Sequence, residues 1–153
     1  MDKETIKHFV QLQLGSEQYR TYNVEVAREI GLEESIILNE LIDQHKFYTR
    51  ERKLIELKDE QGEWFYCDYI RFEERTAIKE KALLRVLKSL KRSGLITYVL
   101  KGVPPKRHFQ INYEALFEFL NNLYKAPKRE PCVSQSRSGV HYIYEIDSRL
   151  GLS

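Results

Sequence analysis

The residues with the clearest chemical content lie between Lys79 and Arg107. Lys81, Arg85, Lys88 and Arg92 recur at steps of three and four, so on a helix at 100° per residue they fall within about 60° of one another. Ala82, Leu83, Val86, Leu87 and Leu90 occupy the opposite arc, about 140° wide, which predicts a helix over Lys79 to Ser93 anchored by its apolar side. Like charges one or two turns apart cost an isolated helix about 0.2–0.5 kcal/mol per pair, and an anionic partner relieves that repulsion. A helix of this kind fits a DNA major groove, where Arg and Lys donate to guanine O6 and N7 and an acid such as Glu80 accepts from cytosine N4.

The N-terminal half of this helix, Lys79, Glu80, Lys81, Leu84 and Arg85, supplies the candidates for base contacts. Leu84 lies between the two faces and suits a thymine methyl or a protein partner. Lys88, Lys91 and Arg92 are candidates for phosphates, which supply affinity without sequence choice. Lys101, Lys106 and Arg107 add charge on a loop stiffened by Pro104 and Pro105, suited to phosphates or the minor groove beside the helix. The competing reading of the same residues is a solvated basic face with no ligand.

The charge balance of the chain sharpens the choice. A formal net charge of +2 over 153 residues conceals a segregation: residues 1–67 carry 9 Lys/Arg against 14 Asp/Glu, and residues 68–108 carry 11 against 4. Residues 109–153 are balanced at 5 and 5. A basic stretch on an otherwise acidic body is the pattern expected of a polyanion-binding face.

Several elements must position these residues. Val10, Leu12 and Leu14 alternate with Gln11 and Gln13, which predicts a half-buried strand ending at Gly15, with a short helix from Glu4 as the alternative. Asn23 and Gly31 bracket a two-turn helix as N-cap and C-terminal residue. Ile37, Leu38, Leu41, Ile42, His45 and Tyr48 predict an amphipathic helix over Glu33 to Tyr48, with His45 in the half-buried core. Lys53 to Leu57 and Trp64 to Cys67 flank a polar turn around Gly62, giving a hairpin or a loop with a short strand. A short helix is expected over Asp68 to Phe72, with Tyr69, Ile70 and Phe72 inward, and a turn over Glu73 to Ile78. Trp64, Tyr66, Tyr69 and Phe72 are assigned to core packing in preference to base stacking.

After the basic helix, Gly94 supplies its C-terminal stop, Leu95 to Leu100 reads as a strand, and Arg107 to Ile111 as a second one beyond the prolines. Helix, turn, helix, strand, basic loop, strand is the order of a winged helix-turn-helix: an α+β fold, mainly helical, with a small antiparallel β wing. Asn112 caps a last helix carrying Tyr113, Leu116, Phe117, Phe119, Leu120 and Leu123. Residues 1–124 are expected to form the winged-helix domain and residues 125–153 a linker and short tail, with Val140 to Ile146 as a strand or docking peptide.

Other classes find little support in the residues. No glycine-rich phosphate loop, GxSxG, HExxH or His-x-His element occurs, and His8, His45, His108 and His141 are scattered, so an enzyme, a cofactor and a metal are not expected. A tyrosine nucleophile among ten tyrosines would lack a neighbouring metal cluster. Cys67 and Cys132 are read as inert thiols. No membrane span and no secretory signal are expected, which makes a cytoplasmic protein the default.

The stretch Ala82-Leu83-Leu84-Arg85-Val86-Leu87-Lys88-Ser89-Leu90-Lys91-Arg92-Ser93-Gly94-Leu95-Ile96 resembles the N-terminal winged-helix domain of phage and plasmid replication proteins. Trp64-Phe65-Tyr66, Phe109 to Leu116 and Val26 to Leu41, with Gly31-Leu32 before an Ile/Leu-rich helix, share the resemblance, which spans about residues 20 to 120. That group comprises replisome organisers and DnaD-like primosomal proteins of Gram-positive bacteria and their mobile elements. The resemblance implies binding to origin or promoter double-stranded DNA, as a homodimer or higher oligomer, with a replication helicase or its loader as further partners. Two features depart from the group: no Ser or Thr caps the helix at Lys79, and the second domain usual in such proteins has no counterpart before Ser153. A small stand-alone relative, a truncated product and an adaptor are all compatible with that length. A transcriptional regulator of a mobile element and a winged helix that binds a host protein are the alternative functions.

Overall fold

The computed structural model describes residues 1–14 and 19–125, so the expected linker, the 140–146 segment, Cys132 and His141 lie outside the described residues. Helices α1 (Lys3–Leu14), α2 (Val24–Ile30) and α3 (Leu32–Arg50) are followed by strands β1 (Ile55–Glu56) and β2 (Glu63–Tyr66). Helices α4 (Tyr69–Thr76) and α5 (Glu80–Arg92), strands β3 (Ile96–Lys101) and β4 (Lys106–Ile111), and helix α6 (Tyr113–Lys125) complete the order. The chain divides into two units, Met1–Ile111 and a second that begins at Asn112.

In the first unit α3, α4 and α5 pack on one another, and an antiparallel sheet in the order β1-β2-β4-β3 closes the assembly. The β3–β4 hairpin runs in register from Ile96 opposite Ile111 to Lys101 opposite Lys106, and β2 joins it with Phe65 opposite Phe109. This is the expected winged helix-turn-helix, α+β and mainly helical. Its core is Ile37, Leu38 and Leu41 of α3, Leu83, Val86, Leu87 and Leu90 of α5, Phe72 of α4, and Trp64, Phe65, Ile96 and Phe109 of the sheet. Phe109 is fully buried, with the rings of Phe65, Phe72 and Tyr98 at 5.8–6.0 Å, so one side chain joins three strands and α4.

Local chemistry sets the boundaries. Asn23 caps α2, its side chain accepting from the Val26 N–H at 3.1 Å. Asp68 does the same for α4 through the Arg71 N–H at 2.9 Å, and Ala77 in the left-handed conformation ends that helix. Gly94, at φ +79°, follows α5, where the Leu95 N–H reaches back to the Leu90 carbonyl. In the second unit Asn112 caps α6 through the Ala115 N–H at 3.1 Å.

Two expectations are corrected. Residues 9–14 are not a strand but the end of α1, because Asp2 caps the helix through the Thr5 N–H at 2.7 Å and Ile6, Phe9 and Val10 share one helical face. The alternation of Val10, Leu12 and Leu14 has no strand to pair with among the described residues. Likewise, Glu73 to Thr76 form the second turn of α4 and not a loop. Tyr69 and Ile70 are exposed there, since Ile70 lies about 160° around the helix from the buried Phe72.

Glu40 was not foreseen as an interior residue. It is buried on α3, where it accepts from Gln44 Nε2 at 2.7 Å and from Arg75 Nε at the end of α4. Arg20 lies 3.7 Å from its other oxygen and also donates to the Arg75 carbonyl at 2.9 Å. A buried carboxylate needs such compensation, and here it fastens the end of α4, and so the turn into α5, onto α3.

Gly31 joins α2 to α3 at φ +112°, and a Cβ there would collide with Glu34 Oε2. Gly31→Ala is expected to lower stability by about 1–3 kcal/mol in urea denaturation, from a disfavoured φ and a displaced Glu34 together. His45, half-buried beside the Phe65 ring, has its pKa lowered from 6.5 mainly by burial, partly offset by Glu63. The unfolded chain therefore takes up this proton first as the pH falls, so the contribution of His45 is full above about pH 6.5 and is lost on acidification below it. Replacing His45 by Phe should flatten the pH dependence of the melting temperature below about pH 6.5.

Candidate nucleic-acid interface

The interface is built on α5. Its buried residues, Leu83, Val86, Leu87 and Leu90, fix the rotation of the helix about its axis. Rotation fixed in that way leaves Lys81, Arg85, Lys88 and Arg92 exposed on the far side, as the sequence pattern predicts. Lys79 is the N-cap residue with extended backbone and no side-chain cap, in keeping with the missing Ser or Thr. Glu80 sits in the first turn, where the helix dipole favours an acid. Leu84 is half-buried at the edge between the two faces. Among the described residues no acid pairs with Lys79, Lys81, Lys88 or Arg92.

Arg85 differs from its neighbours. Its Nη2 lies 2.7 Å from Glu33 and its Nη1 3.4 Å from Glu34, both in the first turn of α3. Acids of the N-terminal third thus reach the middle of the basic row, while the positions on either side keep their charge unpaired. Nothing in the sequence marks this pair, since the partners are 51 and 52 residues apart.

Two of the three wing cations, Lys106 and Arg107, lie on aromatic rings. Arg107 lies 5.2 Å from the ring centres of Tyr69 and of Tyr98, which joins the hairpin, near its tip end, to α4. Lys91 donates to the Tyr98 carbonyl at 3.2 Å and lies 4.5 Å from its ring, tying α5 to β3. Lys91 and Arg107 are therefore partly structural, each cation–π contact contributing about 0.5–1 kcal/mol at exposed sites. Lys106 stands 5.2 Å above Tyr66, and Lys101 pairs with Glu60 at 3.5 Å. Gly102 to Pro105 form the exposed tip, and Val103 is fully exposed.

The eleven expected site residues are thus brought to adjoining elements, α5 and the β3–β4 hairpin, which Lys91 holds together. Glu33, Glu34, Tyr69 and Tyr98 were not anticipated there. Of the four aromatic residues assigned to packing, Trp64 and Phe72 are buried, Tyr66 is half-buried, and Tyr69 is exposed against Arg107.

Reactive groups are scarce. Burial pushes the Cys67 thiol up to about 12, and it raises Tyr48, Tyr66 and Tyr113 above the usual phenol value, the opposite of what a nucleophile needs. Among the described residues no group of three His, Cys, Asp or Glu side chains could hold a metal, and no helix is long and apolar enough to cross a membrane.

No protein-family model matches the chain, and no curated protein is detectably similar in sequence. One solved structure, described as "N-Terminal domain of DNA binding protein", superposes with a TM-score of 0.45 at 10% identity, covering 84% of this chain and 96% of that one. Similarity of that degree does not carry a ligand over to this chain.

Proposed function

We propose that this chain binds double-stranded DNA, with α5 in the major groove and the β3–β4 wing beside it, and catalyses no reaction. The observation that carries the reading is the row Lys81, Lys88 and Arg92, exposed and unpaired among the described residues directly opposite the buried stripe of α5. Keeping like charges together on one helix face is unfavourable in the free protein, and phosphates along a groove wall compensate it. Lys79, Glu80 and Lys81, at the N-terminal end of α5, are assigned to base edges, and Lys88 and Arg92 to phosphates. Lys106 at the wing adds a phosphate contact beside them. The resemblance to phage and plasmid replication proteins favours a cytoplasmic role in replication initiation, as a homodimer that engages a helicase or its loader. Transcriptional regulation of a mobile element uses the same surface and differs only in where on the DNA it binds.

A second reading, a winged helix that docks a protein, draws on α1, where Ile6, Phe9, Leu12 and Leu14 are all exposed. The two readings separate by salt dependence. For the DNA reading, affinity for mixed-sequence duplex falls with a log–log slope of about −0.9 per phosphate contacted. Lys81→Ala/Lys88→Ala/Arg92→Ala should make that slope shallower by about 2–3 units and weaken binding at least tenfold at low salt, as measured by fluorescence anisotropy. A slope near zero, or a triple variant that binds like the parent, would favour the protein partner.

A further inference from the structure

Arg85 poses a problem for a simple basic face. It lies at the centre of the row, its side chain is 60% exposed, and yet it is the one member held by two acids, Glu33 and Glu34. A plain stabilising tie accounts for little of this, because an exposed ion pair contributes only about 0–1 kcal/mol.

Glu34 is fixed independently of the arginine. Glu34 is buried in the first turn of α3, where the helix dipole favours a carboxylate, and its head occupies the space that a Cβ on residue 31 would fill. Gly31, at φ +112°, leaves that space open. Glu33 stands beside it, partly exposed, at 2.7 Å from Arg85 Nη2. The rigid partner is therefore α3, and the long side chain of Arg85 is what it orients.

We infer that Glu33 and Glu34 are positioning residues that present Arg85 to a guanine edge in the major groove instead of to a phosphate. Two carboxylates around one guanidinium leave the patch with more negative than positive charge, so a phosphate oxygen brought to it is repelled. A base edge carries no net charge and escapes that penalty. The two contacts use one N–H from each Nη, which leaves Nε–H and the second hydrogen of each Nη to donate. Guanine O6 and N7 accept two such donors side by side. Holding the guanidinium plane in advance also reduces the side-chain entropy lost on binding. Lys88 and Arg92, one and two turns beyond Arg85, lack such acids and remain available to phosphates. Glu33 and Glu34 thus turn Arg85 toward specificity within a basic face in which Lys88 and Arg92 supply affinity.

The inference rests on the duplex-binding reading, and a selection experiment separates the two. The full chain is used to enrich duplexes from a random-sequence pool, at low and at high salt, for the parent, Arg85→Lys, Glu33→Gln/Glu34→Gln and the triple combination. Circular dichroism melts confirm that each is folded, and Gln preserves the shape of both acids. We expect the parent to enrich a guanine at one position and Arg85→Lys to lose about tenfold in preference there, the lower end of what a bidentate base contact supplies. Glu33→Gln/Glu34→Gln should retain several-fold more of the unselected pool while losing a similar share of the guanine preference. The triple variant should be no less selective than Arg85→Lys alone, because the acids act through the arginine. A purely structural pair would alter melting and leave base preference untouched, and that result overturns the inference. It is also overturned if the parent binds duplex in a salt-dependent way without enriching any guanine. If the parent retains no duplex at either salt concentration, the duplex-binding reading itself fails.

Discussion

The orientation of α5 depends on the burial of Leu83, Val86, Leu87 and Leu90 against α3 and the sheet, and the rest of the surface chemistry follows from it. Each such side chain contributes about 1.5–3 kcal/mol when withdrawn from water, whereas each like-charge pair on the opposite face costs about 0.2–0.5 kcal/mol. Packing therefore prevails over repulsion, and the helix keeps its cations outward in the free protein. A surface held in that state before any ligand arrives is preorganised for a polyanion.

The acids of the first third serve two purposes around this helix. Glu40 is interior and fastens the end of α4 through Arg75, which places the turn that leads into α5. Glu33, partly exposed, and Glu34, buried, single out one cation from the row. The wing is attached on different terms, mainly through aromatic faces at Tyr69, Tyr98, Lys91 and Arg107, with one ion pair between Lys101 and Glu60. Tyrosine rings hold Arg107 and Lys91 without cancelling their charge. That arrangement suits a wing whose positive potential is to be used.

Periodicity made much of this fold legible. The stripe on α5, the amphipathic pattern of α3 and the stop at Gly94 each follow from spacing or from one special residue, and each stands where it was expected. Residues 9–14 were ambiguous because Val10, Leu12 and Leu14 satisfy a period of two, while Ile6, Phe9 and Val10 satisfy the helical one. The cap on Asp2 decides between them, and a cap is a weaker signal than a run of alternating residues. The second turn of α4 was hidden for a related reason, since Glu73, Glu74 and Arg75 read as polar loop until Glu40 supplies a partner for Arg75. Pairings across some 50 residues, Arg85 with Glu33 and Glu34, leave no trace in local pattern, so the candidate site was legible as a set of cations and not as a circuit.

The central claim is that the exposed side of α5 is the surface at which duplex DNA is received. Backbone amide spectra of the isotopically labelled chain, titrated with a mixed-sequence duplex, test it without removing any residue. Shifts and broadening concentrated over residues 79–92 and 101–107, reversed by added salt, are the result that fits. Changes centred on α1 or α6, with α5 undisturbed, would contradict it.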